Sequence, residues 1–526
     1  MRAKTKRWLK WWLLFAVFAA LAMRFAWWGH DAGPVFTVKP ASPGNATESV
    51  ISRKGFDGRQ EWHATDLDRD GVWDEFRTPI NNGYFARPGY KSSPKRWLVI
   101  CLDGVPLEVM QSFWDRGHFR EFYRPTVVVS VFPSDSETAL TDVLHAPPVP
   151  GYEQLYFDRA ANRIRGGCWV TLSGYHIPYI KRLDYDTPGW AKALPYLAPW
   201  KSYYADLGRL SDRYRKERDK RVFLAHLAVS DAMFHLFPTD ELEPALTALE
   251  NLVRKIYLDA AGELGVLLFS DHGNSQVPSR PAPLMALLEQ RGWRVRGSIE
   301  GPRDVVIPDY GLLGIAALYC KPKAVEELAG ALVDAEGVDL VVYANSPTAA
   351  TIRSSSGRGL LRWSKDGSRF WYEAVEQDPL ELAPVFEELR GTGRISADGS
   401  ASDKDLFLAT WDLKYPDPAA RIRNWTLNHV QNRADILVSL KPGYFHGAGV
   451  FTRIVDFVGT HGALERASTL GFAMGTMPQP AAQRLADLLP AELVKKENSK
   501  SKEESATSFS RRPRRCRRRA LPSRPA

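Results

Sequence analysis

The chain has 526 residues, of which 44% are hydrophobic and 17 are Trp, so it can bury a large core. This composition excludes a wholly disordered protein, and the length fits one large domain with insertions or two to three smaller domains. The formal net charge is +9, but the tail from residue 495 onward contains four Lys, eight Arg and three Glu, which account for all of it. The basic balance therefore belongs to the tail and says nothing about an active site.

Residues 1–30 predict a signal-anchor helix. Basic residues precede an apolar run over residues 11–23, and a span counted from residue 8 to 28 reaches the length that a bilayer needs, about 17–25 residues. A cleaved signal peptide is the alternative, because Ala20-Leu21-Ala22 resembles a small-residue cleavage site. In both cases the positive charges stay inside, so we expect a single-pass protein of the inner membrane with its body in the periplasm.

Residues 31–92 are rich in Gly, Pro and polar residues, and we expect a juxtamembrane segment with little regular structure. Alternating carboxylates followed by Gly resemble a calcium loop, whose predicted ligands are Asp66, Asp68, Asp70 and Asp74. An EF-hand would need Glu where Arg77 stands, so a shorter Asp-rich calcium turn fits better. An exposed acidic turn without an ion is the alternative.

Strand-like and helical patterns alternate from about residue 93 to residue 490. The β-branched runs lie at 97–102, 126–132, 222–229 and 265–270. This alternation is typical of βαβ units, so the expected fold is α/β, with a mostly parallel, doubly wound sheet flanked by helices.

A block at about residues 300–400 interrupts this pattern with hairpin-like segments and predicts an inserted α+β subdomain. We expect strands of the core to resume at 434–444 and 453–462. Residues 491–526 turn into Lys, Glu, Ser and Arg, a composition that predicts a disordered basic tail.

The predicted strands of the core end in side chains that bind metals or act as nucleophiles. These residues are Asp103, Ser136, Asp231, His235, Asp271, His272 and His461. In a parallel sheet, ligands bind at the carboxyl ends of the strands, so these groups are directed at one crevice. Two metal ions about 3.5–4 Å apart, with a hydroxyl nucleophile against them, are the requirements of metal-assisted phosphoryl hydrolysis. Zn²⁺ is the natural occupant of a mixed Asp/His site, and Mn²⁺ is the alternative.

In order and spacing, these segments resemble the alkaline phosphatase superfamily, in its type I phosphodiesterase/nucleotide pyrophosphatase branch, over about residues 95–480. The resemblance implies two zinc ions. The first would be held by Asp103, Ser136, Asp271 and His272. The second would be held by Asp231, His235 and His461. The resemblance also implies Ser136 as the nucleophile that forms a phosphoseryl intermediate, with Ser134 as the alternative.

Where that family has an Asn that donates to the phosphoryl oxygen, this chain has Gln154 or Leu155, and Gln154 is the candidate for substrate binding. His226 lies within a predicted strand and is expected to be a core histidine with its hydrogen bonds satisfied. Three further histidines are expected near the mouth of the crevice: His145, His176 and His446.

The expected function is that of a membrane-anchored, outward-facing phosphohydrolase acting on phosphodiesters or phosphate esters. A phosphoethanolamine- or phosphoglycerol-type transferase acting on an envelope lipid or glycan is one alternative, and a catalytically silent binding or scaffold protein is another. A sulfatase is excluded, because its nucleophile motif has no match better than Cys320-Lys-Pro-Lys. The expected partners are a small-molecule, lipid or glycan phosphoester and the membrane, whereas an exported protein is not expected to meet nucleic acid.

Overall fold

The computed structural model describes nine stretches of the chain. They are residues 35–42, 47–55, 58–78, 83–167, 177–192, 194–309, 311–427, 430–447 and 456–494. The predicted signal anchor at 1–30 and the tail beyond residue 494 lie outside them. Within these stretches, no helix combines the length and the apolar character needed to cross a membrane.

An antiparallel sheet of five strands occupies the N-terminal part, and strands that are neighbours in sequence pair with each other. Its strands are Phe36–Pro40, Glu48–Gly55, Gly58–Thr65, Glu75–Thr78 and Gly83–Ala86. One face is buried through side chains such as Trp62 and Phe76, and Phe76 meets Tyr257 edge-on with 5.5 Å between ring centroids. The expectation of little regular structure at 31–92 is therefore wrong. Among the described residues of this segment, Pro40, Gly55 and Gly83 lie at strand ends, and such residues hide the alternation of apolar residues along the strands.

The central sheet has seven strands, which are all parallel except Leu470–Gly475. Across the sheet they follow the order Tyr185–Asp186, Val222–Leu227, Arg96–Leu102, Leu264–Phe269, Leu470–Gly475, Thr126–Val129 and Ala482–Arg484. Both faces are buried, since Leu98 and Ile100 join one apolar cluster while Val99 and Cys101 join another. The α/β class and the mostly parallel central sheet are confirmed.

Helices cover both faces of the central sheet. On one face the apolar cluster includes residues of Leu107–Asp115, Pro199–Glu217, Val229–Leu236 and Glu243–Asp259. On the other face it includes the helix Ser136–Val143 and the second lobe described next. Shorter helices lie at Gly189–Lys192, Leu284–Gln290, Arg466–Thr469 and Ala491–Val494.

A second sheet of seven antiparallel strands forms the core of an outer lobe. Its order is Ile315–Leu318, Ile436–Leu440, Val338–Ser346, Ala349–Arg353, Arg358–Trp363, Arg369–Glu376 and Ala401–Ser402. Helices accompany it at Val325–Leu332, Ala383–Gly391, Asp403–Thr410 and Pro418–Thr426. The lobe extends from Ile315 to Leu440, so it overlaps the block at about 300–400 where an inserted α+β subdomain was expected but continues beyond it. Two short strand pairs lie elsewhere: Arg294–Val295 with Asp304–Val305, and Leu155–Asp158 with Arg163–Gly166.

Two expected core strands are not part of the central sheet. Residues 434–444 were expected to resume the core, but Ile436–Leu440 pairs within the second sheet. This buried run has no period that distinguishes a parallel core strand from an antiparallel one. In the segment 453–462, residues 453–455 lie outside the described stretches, and 456–462 contains no strand, only isolated bridges to Ser279, Leu313 and Ser134.

Candidate metal centre

The predicted ligands and nucleophile meet at one end of the central sheet. Asp103 follows the strand Arg96–Leu102, and the pair Asp271 and His272 follows Leu264–Phe269. The other residues come from a helix or a loop after the strands: Ser136, Asp231, His235 and His461. We call these seven side chains the metal centre.

The first part of the metal centre gathers around Asp103. Asp103, Asp271 and His272 each offer a ligand atom, and these atoms lie within 4.8 Å of one another. Ser136 Oγ donates a hydrogen bond to Asp103 Oδ1 at 3.0 Å and lies 3.4 Å from His272 Nε2. His272 Nδ1 donates to the carbonyl of Gly273 at 2.9 Å, which directs Nε2 at the carboxylates. A hydroxyl, two carboxylates and an imidazole therefore share one small volume.

The second part gathers around Asp231. His235 Nε2 lies 3.1 Å from Asp231 Oδ2, and His461 Nε2 lies 3.5 Å from Asp231 Oδ1. Both rings are fixed from behind, since His235 Nδ1 donates to the carbonyl of Gly459 at 2.7 Å and His461 Nδ1 to that of Ser134 at 2.8 Å. In each ring the nitrogen that faces Asp231 is thus the one free to bind a metal.

The two parts are adjacent. The rings of His272 and His461 stack with 3.9 Å between their centroids and 13° between their planes. Ligand atoms of Asp231, His272 and His461 also lie within 4.8 Å of one another. The seven side chains thus form one continuous centre.

Two buried carboxylate oxygens of the centre, Asp231 Oδ1 and Asp271 Oδ2, have no hydrogen-bond partner among the described residues. Such oxygens are costly in a protein interior unless a cation or a donor reaches them. Because each one points into a set of carboxylate and imidazole ligands, the donor set fits a divalent metal of the zinc type.

Protonation balances the charge of the centre when no metal is bound. Burial and the negative charge of Asp103 raise the pKa of Asp271 to about 7. Burial opposes a charged His272, but Asp271 and Asp103 outweigh it and raise the pKa of this imidazole to about 10. Burial and the positive charge of His272 lower the pKa of His461 to about 3. Cations that enter the centre therefore displace protons.

Among the hydroxyl groups near Pro133, Ser136 is the one that faces the metal centre. Ser134 is fully buried, and its Oγ accepts a hydrogen bond from Arg421 Nη2 at 3.0 Å. Thr138 Oγ1 donates to the carbonyl of Pro133 at 2.9 Å. These contacts give Ser134 and Thr138 structural roles, and they leave Ser136 as the candidate nucleophile over the alternative Ser134.

Ser136 is also the first residue of the helix Ser136–Val143. The helix is capped by Asp135, whose carboxylate accepts a hydrogen bond from the backbone N–H of Thr138 at 3.0 Å. Free N–H groups and the helix dipole make this end favourable for an anion. A phosphoryl group attached to Ser136 would therefore lie at the positive end of the helix.

Arg421 links the outer lobe to the two loops that carry Ser136 and His461. Its Nη2 donates to the carbonyl of Val131 at 2.9 Å, and its Nη1 donates to the carbonyl of Leu464 at 2.9 Å. The side chain is 3% exposed, and burial lowers the pKa of its guanidinium to about 9. Sequence reasoning missed this residue, because an Arg in an amphipathic helix normally faces solvent.

Gln154 does not contact Ser136. Its Nε2 donates to Glu137 Oε1 at 2.9 Å, and its Oε1 has no hydrogen-bond partner among the described residues. Since Glu137 is next to Ser136 in sequence, Gln154 lies beside the nucleophile rather than on it. Its role as a donor to the phosphoryl oxygen stays a prediction.

His226 is a buried histidine whose hydrogen bonds are satisfied, as expected, but its partners belong to the site. Its Nε2 lies 3.0 Å from Asp103 Oδ2, and its Nδ1 lies 2.8 Å from Asp186 Oδ1. Lys192 Nζ lies 3.0 Å from Asp186 Oδ2. Asp186 and Lys192 were missed, because they come from a stretch of two-residue strand and four-residue helix with no periodic pattern.

The histidines expected near the mouth are not part of the metal centre where the structure describes them. His145 Nε2 donates to the carbonyl of Leu489 at 3.0 Å, and His446 Nε2 bonds with the carbonyl of Pro308 at 3.0 Å. His176 lies outside the described stretches.

Three of the four predicted calcium ligands lie together in the structure, and calcium binding by them stays a prediction. Ligand atoms of Asp66, Asp68 and Asp70 lie within 4.8 Å of one another. Asp74 is not part of the cluster, because its Oδ1 accepts a hydrogen bond from the buried Arg87 at 2.7 Å. Asp74 as a calcium ligand is therefore wrong, since a buried Arg–carboxylate pair neutralises it.

Comparison with known proteins gives matches of structure only. No protein-family model matches the chain, and no curated protein matches it. The solved structures with a similar fold include human ectonucleotide pyrophosphatase/phosphodiesterase 5, at 12% identity and a TM-score of 0.43, over 76% of this chain and 93% of that one. They also include phosphonoacetate hydrolase from Sinorhizobium meliloti in complex with phosphonoacetate, at 12% identity and a TM-score of 0.40, over 78% and 94%.

At these identities and TM-scores the likeness carries no argument about chemistry. The side chains of the metal centre are therefore the basis for a proposed function.

Proposed function

We propose that the chain is a metal-dependent phosphohydrolase, with two zinc ions, that cleaves phosphodiester or phosphate ester bonds through a phosphoseryl intermediate. The observation that carries the proposal is the position of Ser136. Its hydroxyl lies within 3.0 Å of Asp103 Oδ1 and 3.4 Å of His272 Nε2, at the N-terminus of a helix. A serine used only for packing would have no need of a carboxylate, an imidazole and a helix dipole together.

The donor set divides into two groups that would each hold one ion. Around the first ion would lie Asp103, Ser136, Asp271 and His272. Around the second would lie Asp231, His235 and His461. When bound, the two ions would lower the pKa of the serine hydroxyl and neutralise charge on the phosphoryl oxygens. Mn²⁺ is the alternative occupant.

The chain's own residues account for the remaining chemistry. Ser136 Oγ attacks phosphorus as the bond to the leaving oxygen breaks, so the phosphoryl group stays on Ser136 and the proton of its hydroxyl ends on the departing oxygen. Before the attack Asp103 Oδ1 accepts the hydrogen bond from Ser136 Oγ, and the backbone N–H groups at the start of the helix would face the phosphoryl oxygens. Water then attacks phosphorus, and the P–O bond to Ser136 breaks, which restores the hydroxyl. A transferase would differ only in the acceptor, a lipid or glycan hydroxyl in place of water.

The location is part of the same proposal. The apolar run and the preceding basic residues of segment 1–30 support a single-pass anchor in the inner membrane with the metal centre on the outer side.

The experiment uses purified full-length protein loaded with Zn²⁺, with metal content and turnover of bis-p-nitrophenyl phosphate and p-nitrophenyl phosphate as readouts. Ser136→Ala should keep the metal and lose several orders of magnitude in turnover. Ser130→Ala is the matched control, because Ser130 Oγ is buried in the same loop without a hydrogen-bond partner among the described residues, and this variant should stay active. Less than one metal per chain, or an active Ser136→Ala variant, would contradict the proposal.

A further inference from the structure

Three polar side chains beside the metal centre are not used by the proposed chemistry: His226, which is buried, and Asp186 and Lys192, which are 11% and 15% exposed. They form a row behind Asp103, in which His226 contacts Asp103, Asp186 contacts His226, and Lys192 contacts Asp186. The three distances are 3.0, 2.8 and 3.0 Å. A row of this kind costs free energy in a core unless each member is paired, as each one is here.

The register of the central sheet brings the row together. Asp186 is the partner of His226 on the neighbouring parallel strand, and His226 is the partner of Cys101, two residues before Asp103. Lys192 reaches Asp186 from the short helix Gly189–Lys192. The contact of His226 with Asp186 therefore joins two paired strands, while Asp103 directly follows a third strand and Lys192 comes from a short helix.

The chemistry of the row fixes which atoms donate. An ionised carboxylate can only accept hydrogen bonds, so an imidazole between two carboxylates donates from both ring nitrogens. Two carboxylates, one imidazolium and one ammonium then leave the row without net charge, which a buried cluster requires. His226 thus donates two hydrogen bonds, from Nε2 to Asp103 and from Nδ1 to Asp186.

This arrangement decides how Asp103 can act. Its Oδ2 is occupied by His226, while its Oδ1 faces Ser136 at 3.0 Å and His272 at 3.3 Å. The carboxylate therefore cannot turn both oxygens to the same ion. A donor behind a carboxylate ligand orients it and tunes its affinity for a metal.

We propose that His226, held by Asp186 and Lys192, is a positioning residue that makes Asp103 a one-oxygen ligand and aims that oxygen at the metal and Ser136. The inference rests on the proposed metal centre, but it assigns a role to three residues that the proposed reaction does not need. It explains why a polar row lies beneath one edge of the central sheet, where apolar residues would pack at less cost.

The test compares metal binding by purified full-length wild type, Asp186→Asn and Asp184→Asn. Asp184→Asn is the matched control, because Asp184 stands two residues away at the same sheet edge but bonds with Leu224 N and Lys220. Zn²⁺ affinity, from competition with a chromogenic chelator, should fall about 10- to 100-fold at one site in Asp186→Asn and stay unchanged in Asp184→Asn. The visible absorption spectrum of the Co²⁺-loaded protein should change in Asp186→Asn only.

A double variant distinguishes loss of the positioning role from the effect of leaving an unpaired charge on Lys192. Asp186→Asn leaves Lys192 without its ion partner, and Lys192→Met together with Asp186→Asn removes both charges, so thermal stability should recover in the double variant. The loss of Zn²⁺ affinity and the altered Co²⁺ spectrum should persist, and His226→Gln should share them. Recovery of both readouts in the double variant would overturn the positioning role. If wild type bound no Zn²⁺, the proposed function itself would be contradicted. If wild type bound two ions and the variants showed the same Zn²⁺ affinity and Co²⁺ spectrum as wild type, only this inference would be contradicted.

Discussion

Zinc binding to the metal-free protein should release protons, and the number follows from the protonation of the centre. With a pKa of about 10, His272 gives up one proton at pH 7, and Asp271, with a pKa of about 7, gives up half of one. His461, with a pKa of about 3, has none to lose. His235 adds a further fraction, because Asp231 outweighs burial and raises the pKa of this ring. Filling both sites should therefore release about 1.5–2.5 protons.

The direction of the pH dependence follows from the same groups. Protonated ligands predominate at low pH and must lose their protons before they bind, so zinc affinity rises with pH. Near pH 7 the product of the two binding constants should increase about 30- to 300-fold per pH unit.

Isothermal titration calorimetry with Zn²⁺ measures the number of released protons directly, when it is repeated at pH 7 in two buffers of different ionisation enthalpy. His272→Gln should bind one ion fewer and release about 1.5 protons fewer, because the protons of both His272 and Asp271 belong to that site. His446→Gln is the control, since this buried histidine lies outside the metal centre and burial lowers its pKa. A proton count near zero, or an affinity independent of pH, would refute the protonation assigned to His272 and Asp271.

Three further outcomes can be checked. Arg421→Met should destabilise the protein by about 1–3 kcal/mol for each buried carbonyl that loses its donor, measured by denaturant unfolding, while the partly exposed Arg423→Met should cost far less. Calcium should raise the thermal midpoint of wild type but not of Asp66→Asn, and equal shifts would favour an exposed acidic turn. A reporter enzyme active only outside the cytoplasm, fused after residue 34, should be active, and a cytoplasmic signal would overturn the exported location.

The central sheet and the gathering of the seven side chains could be predicted from the sequence because both depend on local signals, whereas metal binding by these side chains stays a prediction. Each β-branched run of the sheet ends in its ligands, so the strand and the chemistry are read from the same few residues, as for Asp103 and Asp271. His461 was also predicted to join this set, because it occupies the last position in the order of the motifs. It lies close to the other side chains as expected, although residues 456–462 form a loop and not the expected strand.

The parts that the sequence could not predict depend on long-range pairing. Ile436–Leu440 has the same apolar pattern as a central strand, and only its partners in the second sheet distinguish it. The contacts of Arg421 with the two loops join residues far apart in sequence, so no local pattern around Arg421 predicts them. His226 was read correctly as a buried and satisfied residue, but which carboxylates satisfy it is decided by the register of three strands.

The bond from His461 Nδ1 to the carbonyl of Ser134 joins residues 327 positions apart. During synthesis, the strands that lead to Asp103, Asp231 and Asp271 leave the ribosome well before this histidine. The loop of Ser134 gains its partner only when almost the whole chain has been made. A nascent chain, or one cut before His461, thus contains Ser136 without its full surroundings. If Ser136 is the nucleophile, such a chain should be inert toward phosphoesters, and the growing protein would become reactive only near the end of its synthesis.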